Sequence, residues 1–150
     1  MPTYRISGRT AATTATLGNA AVGIWNPHAT QRLLLIEFGI FATTAPAASA
    51  SFTIRRITAR GTVTTSLTPT LVNDIARGAA PPSGALLDLA YSAQPTLEAL
   101  NLFDFPFAAA IGSGMIYPTA IEIPPGAGIV LAAGAAAIIP ICTVWFKWIE

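Results

Sequence analysis

The chain has 150 residues, 53% of them hydrophobic and only 10% charged, with eight Lys and Arg against seven Asp and Glu. That length suits one domain with a sizeable core. A charged fraction well below the roughly 25% of an ordinary soluble domain implies a surface of Thr, Ser and Asn, or an apolar surface covered by something else. A net charge of +1 supplies no field drawing the chain to nucleic acid or anionic lipid, and near-neutrality favours self-association.

The opening stretch, MPTYRISGRTAATTATLGNAAV, carries basic residues but no unbroken apolar segment, so it does not read as a signal peptide. Its tract from Thr10 to Ala21 is too polar and too poor in large side chains to bury itself. Residues 1–21 are therefore expected to form an extended N-terminal arm that a partner orders, and residues 22–150 a single β-sandwich domain.

In GIWNPHATQRLLLIEFGIF, Asn26-Pro27 is turn chemistry between two strands, because the residue before proline is pushed out of the helical region. Simple alternation along the second strand places Leu34, Ile36, Phe38 and Ile40 on one face, with Leu33, Leu35, Glu37 and Gly39 on the other. In ASFTIRRITARGTVTTSL, Phe52 and Ile54 face inward, and Ile57 is out of phase with them; a bulge at Arg55-Arg56 would restore it. Leu71, Val72 and Ile75 are spaced for one face of a short helix ended by Gly78, and Pro69, Pro81-Pro82 and Pro95 mark long connections around it. NLFDFPFAAAIGSGMIY returns to strand-like alternation, with Phe103, Phe105 and Phe107 on one side.

From Ile123 to Phe146 no side chain is charged, which is long enough for a membrane-spanning helix. Pro124-Pro125-Gly126, Gly128, Gly134 and Pro140 break such a helix, and no Lys/Arg cluster sets an orientation. The same residues divide into strands: Ile121 and Ile123 flank Glu122, Pro-Pro-Gly is a turn, and GIVLAA follows it. At the end, Cys142, Val144, Phe146 and Trp148 share one face, while Ile141, Thr143, Trp145, Lys147 and Ile149 share the other. A strand apolar on both faces is covered on both, here by a sandwich core and by another subunit. The chain shows no internal repeat, and its pattern is all-β: a jelly-roll-like sandwich with one short helix in the middle.

Chemistry-bearing groups are few. His28 is the sole histidine and sits in a loop without an attending signature, so an exposed loop residue is the expectation rather than a catalytic base. The single cysteine, Cys142, lies in an apolar run and reads as core. Asp74, Asp88, Glu98, Asp104 and Glu122 are scattered without an Asp-rich loop. GSGMIY and GAGIVL lack the third glycine of a nucleotide loop, and Arg55, Arg56 and Arg60 suit salt bridges better than nucleic acid. The aromatic group Trp145, Phe146 and Trp148 suits core or intersubunit packing, or a carbohydrate or apolar ligand. No catalytic, cofactor-binding or metal-binding residue is assigned, and no enzyme activity is expected.

Read in order, IWNPHATQRLLLIEFGI, FTIRRITARGTVTT, TPT, AQPTL, IEIPPGAGIVLAA and VWFKWIE resemble a diffuse family of small bacteriophage virion proteins. The likeness covers most of the chain after about residue 22; Ala127 stands where that pattern often has an acidic residue. The resemblance implies a jelly-roll sandwich, commonly a homotrimer, on the capsid surface of a virion as a decoration or cement protein. Its partners would be further copies of itself and the major capsid protein or another virion protein, with no nucleic acid, membrane or cofactor. Tyr4, Arg5 and Leu17 of the arm, with Trp145, Phe146 and Trp148, are the expected interface residues. The alternative is a receptor- or glycan-binding module of a tail fibre or head spike.

Overall fold

The computed structural model describes residues 3–10, 13–14, 18–44, 48–67, 84–107, 114–134 and 138–150. The expected helix around Leu71 to Ile75 lies outside them, as do Leu17, Pro69 and Pro81-Pro82. Among the described residues the chain is all-β, in two principal antiparallel sheets. The strands are β1 (Thr3–Arg9), β2 (Thr13–Thr14), β3 (Ala20–Asn26), β4 (Leu33–Ala42), β5 (Ala50–Ala59), β6 (Thr62–Leu67), β7 (Leu86–Ala93), β8 (Thr96–Phe107), β9 (Gly114–Ile123), β10 (Ala127–Ala133), β11 (Ile138–Ile139) and β12 (Cys142–Ile149). A four-stranded sheet runs β1-β12-β4-β9, a six-stranded sheet runs β6-β7-β3-β10-β5-β8, and β11 pairs with β2.

The apolar run near the C-terminus is therefore strands, and no described helix is long and apolar enough to cross a membrane. Gly126 takes φ 67°, a value that glycine adopts without strain, and so closes the Pro-Pro-Gly turn between β9 and β10. Cys142, Val144, Phe146 and Trp148 are fully buried, as their alternation along β12 requires. They meet Val22, Ile24, Phe52, Ile54 and Leu131 of the six-stranded sheet in one core, which makes the pair of sheets a β-sandwich. Phe38 bridges the layers edge-on to Phe105, with ring centroids 5.7 Å apart. Phe103 also packs against this core, on the same side as Phe105.

Three features depart from the sequence pattern. Along β4, Leu33 and Leu35 are buried while Leu34 is 37% exposed, the reverse of simple alternation. A bulge at Ile36 is the cause: β12 pairs Lys147 with Glu37 and then Trp148 with Leu35, which flips the phase so that Phe38 and Ile40 also point inward. On β5, the ladder to β10 runs unbroken from Ile57 to Phe52, so no bulge returns Ile57 to the main core. The irregularities fall on the β8 side instead. Pro95 marks no long connection, since only Gln94 and Pro95 separate β7 from β8.

That last point shapes the six-stranded sheet. Ala59 pairs with Thr96 and Thr62 with Ala93, so β5–β6 and β7–β8 form one long ribbon that bends at Arg60-Gly61 and Gln94-Pro95. At Gly61 (φ 74°) a Cβ would lie 2.5 Å from the Ala93 carbonyl oxygen, so the bend requires glycine. Curling brings Arg60, at the end of β5, to Asp88 on β7, three strands away in the sheet order. The concave side encloses a second cluster, with Ala20, Ile57 and Val130 buried and Trp25, Tyr91 and Leu97 packed around them. The two-sided apolar character of β10 thus arises within the chain: one face meets the main core and the other this smaller one.

Much of the segment expected to be an arm is also held by this chain. β1 is an edge strand paired with β12 along its whole length, and Tyr4, 1% exposed, stacks on Trp148. Beyond it, the Thr10 backbone N–H donates to the Cys142 carbonyl at 2.9 Å, and β2 pairs with β11.

Candidate interaction face

Since the six-stranded sheet curls over its own second face, the sheet face left open among the described residues is the outer side of the four-stranded sheet. Its pairing sets out four cross-strand rows in the order β1, β12, β4, β9. They are Thr3, Ile149, Leu34, Glu122; then Arg5, Lys147, Glu37, Pro118; then Ser7, Trp145, Gly39, Ile116; then Arg9, Thr143, Phe41, Gly114. On β12 and on β4 after Ile36 these residues alternate with buried ones, so the bulge at Ile36 is what places Glu37, Gly39 and Phe41 on the outside.

Trp145 organises the middle of the face. Its ring lies flat over Gly39, where a Cβ would come within 2.2 Å of Cζ2, so only glycine leaves room for it. Its Nε1 donates to Oε1 of Glu37 at 3.0 Å, which fixes the ring's rotation. Phe41 stacks on it with centroids 5.1 Å apart and planes 16° from parallel, and the Arg5 guanidinium stands 5.3 Å from the ring centroid. These are offset-stacking and cation–π geometries, and together they hold a large side chain rigid on the surface. Around this cluster Ile116 is 53% exposed, Phe41 38% and Leu34 37%. The charges are segregated: Arg5, Arg9 and Lys147 lie on β1 and β12, Glu37 and Glu122 on β4 and β9. Glu122 is further joined by Arg32 from the loop before β4.

Of the six expected interface residues, Arg5 and Trp145 lie on this face. Tyr4, Phe146 and Trp148 are buried against the opposite sheet and spend their surface on the intramolecular core. Glu37, Gly39, Phe41 and Ile116 surround Trp145 on the face and were not singled out as interface residues by sequence; a glycine facing a tryptophan on the adjacent strand is visible only once the register is known.

Other candidate chemistry resolves into structural pairs. Asp88 is fully buried and receives Nε and Nη2 of Arg60 at 2.9 and 2.6 Å and the Ser66 hydroxyl at 2.9 Å. Burial, reinforced by the Asp88 charge, pushes the nearby Tyr91 phenol far up from its ordinary value. His28 is half-buried rather than exposed; its ring packs on Gly84 and its Nε2 lies 3.7 Å from Oε1 of Glu150. That carboxylate oxygen accepts the Trp148 indole N–H at 3.1 Å. The Asn26 side chain closes its loop by donating to the Gln31 and Ile123 carbonyls and accepting the His28 N–H. A cavity of about 30 Å³ beside Arg56, Glu98 and Glu122 has room for a water molecule or two. Among the described residues, no group of three His, Cys, Asp or Glu side chains is placed to hold a metal ion. Burial pushes the Cys142 thiol up to about 12.

Comparison of the chain with protein-family models, with curated proteins and with solved structures gave no match in any of the three.

Proposed function

We propose that this chain is a non-enzymatic virion structural protein, a capsid decoration or cement protein that binds the capsid lattice as an oligomer and stabilises the particle. The observation that carries the reading is the strand order. Setting aside β2, β11 and the ribbon extension β6–β7, eight strands remain; numbered one to eight along the chain, the sheets read 1-8-3-6 and 2-7-4-5. Interleaving the first and last strands in this way supports a jelly roll, an architecture used by viral capsid domains. Architecture does not by itself give function. The charge-poor composition and the open aromatic face direct the reading to binding, and the motif resemblance directs it to a phage particle. The test is to add the purified protein to particles lacking it and to follow thermal release of the genome. Saturable binding that raises the release temperature, as mass action requires, is the expected result; particles that neither bind the protein nor change their release temperature would refute it.

A second reading, a receptor- or glycan-binding module of a tail fibre or head spike, draws on the Phe41–Trp145 stack, whose exposed ring surface beside Arg5, Arg9 and Glu37 suits a sugar. Specific signals on a glycan array, without affinity for particles, would select it.

A further inference from the structure

We infer that the outer face of the four-stranded sheet is a self-pairing surface, on which a second copy of this chain docks face to face about a two-fold axis parallel to the strands and midway between β12 and β4. The charge pattern selects both the partner and the axis. A two-fold along the strands preserves each cross-strand row and reverses its order, so β1 lies over the partner's β9 and β12 over its β4. Lys147 of each copy then faces Glu37 of the other, while Arg5 and Arg9 fall over Pro118 and Gly114 of β9, where they meet no basic residue. An axis across the strands would instead oppose β1 with β1 and set like charges together. The aromatic residues fit the same arrangement. Trp145 leans off its own strand onto Gly39 of β4, which leaves space above β12, and the two-fold brings the partner's indole into that space. Ile116, 53% exposed, meets the partner's Ser7 side. An isologous contact of this kind needs one self-complementary patch, and two sheets with parallel strand directions are the aligned mode of sheet packing.

Four strands at about 4.8 Å spacing and seven paired residues at about 3.4 Å project to roughly 460 Å² per copy. Roughly 900 Å² for the pair is at the low end of specific interfaces, which makes a reversible, concentration-dependent dimer the expected species. The inference does not depend on the virion reading, and the two fail separately: absence from particles leaves the dimer standing, and a monomer leaves particle binding standing.

The experiment is sedimentation equilibrium of the full chain from about 1 µM to about 1 mM, a range that brackets weak interfaces of this size, with Glu37→Lys and Lys147→Glu variants alone and mixed. Wild type is expected to pass from monomer to dimer, and each single variant to dissociate at least tenfold more readily. The equimolar mixture is expected to recover the wild-type dimer, because two lysines at positions 37 and 147 of one variant then meet two glutamates at positions 147 and 37 of the other. Ile116→Lys, at an exposed position, gives a second reading with native circular dichroism and weakened dimerisation. A wild type that stays monomeric, a trimer as the resemblance implies, unchanged association of the single variants, or a mixture that fails to recover would each overturn the inference.

Discussion

Replacing Tyr4 by alanine tests whether β1 belongs to the sandwich or is an arm waiting for another protein. Tyr4 is 1% exposed and its ring stacks on Trp148, centroids 5.9 Å apart and planes 22° from parallel. A buried aromatic ring removes about 150 Å² or more from water, worth about 4 kcal/mol at 25 cal/mol per Å². Measured losses for truncating large buried aromatics run about 3–5 kcal/mol. An edge strand can relax towards the gap, so we expect about 3 kcal/mol, a large share of the 5–15 kcal/mol typical of a domain. For a chain of this size that corresponds to a fall in Tm of roughly 10 °C. The assay is urea denaturation of dilute protein, monitored by tryptophan fluorescence and circular dichroism, with Arg9→Ala on the solvent side of the same strand as control. The control should change stability by no more than about 0.5 kcal/mol. A Tyr4→Ala loss under about 1 kcal/mol in the dilute protein, indistinguishable from the control, would show that β1 is not docked and would restore the arm.

Arg60→Ala should cost about 3–5 kcal/mol, because it leaves Asp88 buried without its cation. The double variant Arg60→Met/Asp88→Leu should recover much of that in the same denaturation assay. Gly39→Val forces the Trp145 ring off the sheet, so its fluorescence should shift to longer wavelength, with a stability loss of about 1–3 kcal/mol. An unchanged spectrum would contradict the flat placement. Cys142 should resist thiol reagents at neutral pH in the folded protein and react on unfolding. Because burial raises its folded value to about 12, the unfolded chain ionises first. Cys142 therefore lowers stability as pH climbs from about 8.5 towards the folded value, and a Cys142→Ala variant should show less of that alkaline decline.

Legibility from sequence followed the regularity of the strands. β12 alternates without interruption, and its inward and outward sets were read correctly from period two alone. Glu122 between Ile121 and Ile123, and the Pro-Pro-Gly turn with Gly126, were equally plain because the turn chemistry is local. β4 was misread because a bulge is a pairing event: nothing in LLLIEFGIF says that Ile36 is the residue its partners skip. Ile57 was misread for a related reason. Its phase looked like an error in one core, whereas it marks a second core created when the ribbon bends at Arg60-Gly61. Only Arg5 and Trp145 of the open face were singled out from the sequence. The rest depends on Gly39 lying across from Trp145, a relation between residues 106 positions apart that only register supplies.

The central claim, a binding role on the virion surface, is tested most directly by electron cryomicroscopy of intact particles. The account predicts density for this two-sheet fold on the outside of the capsid, in copies whose four-stranded sheets turn their Trp145 faces towards one another. Particles whose purified protein content lacks this chain would contradict the role. A map showing the chain with that face turned to solvent would contradict the interface assigned to it.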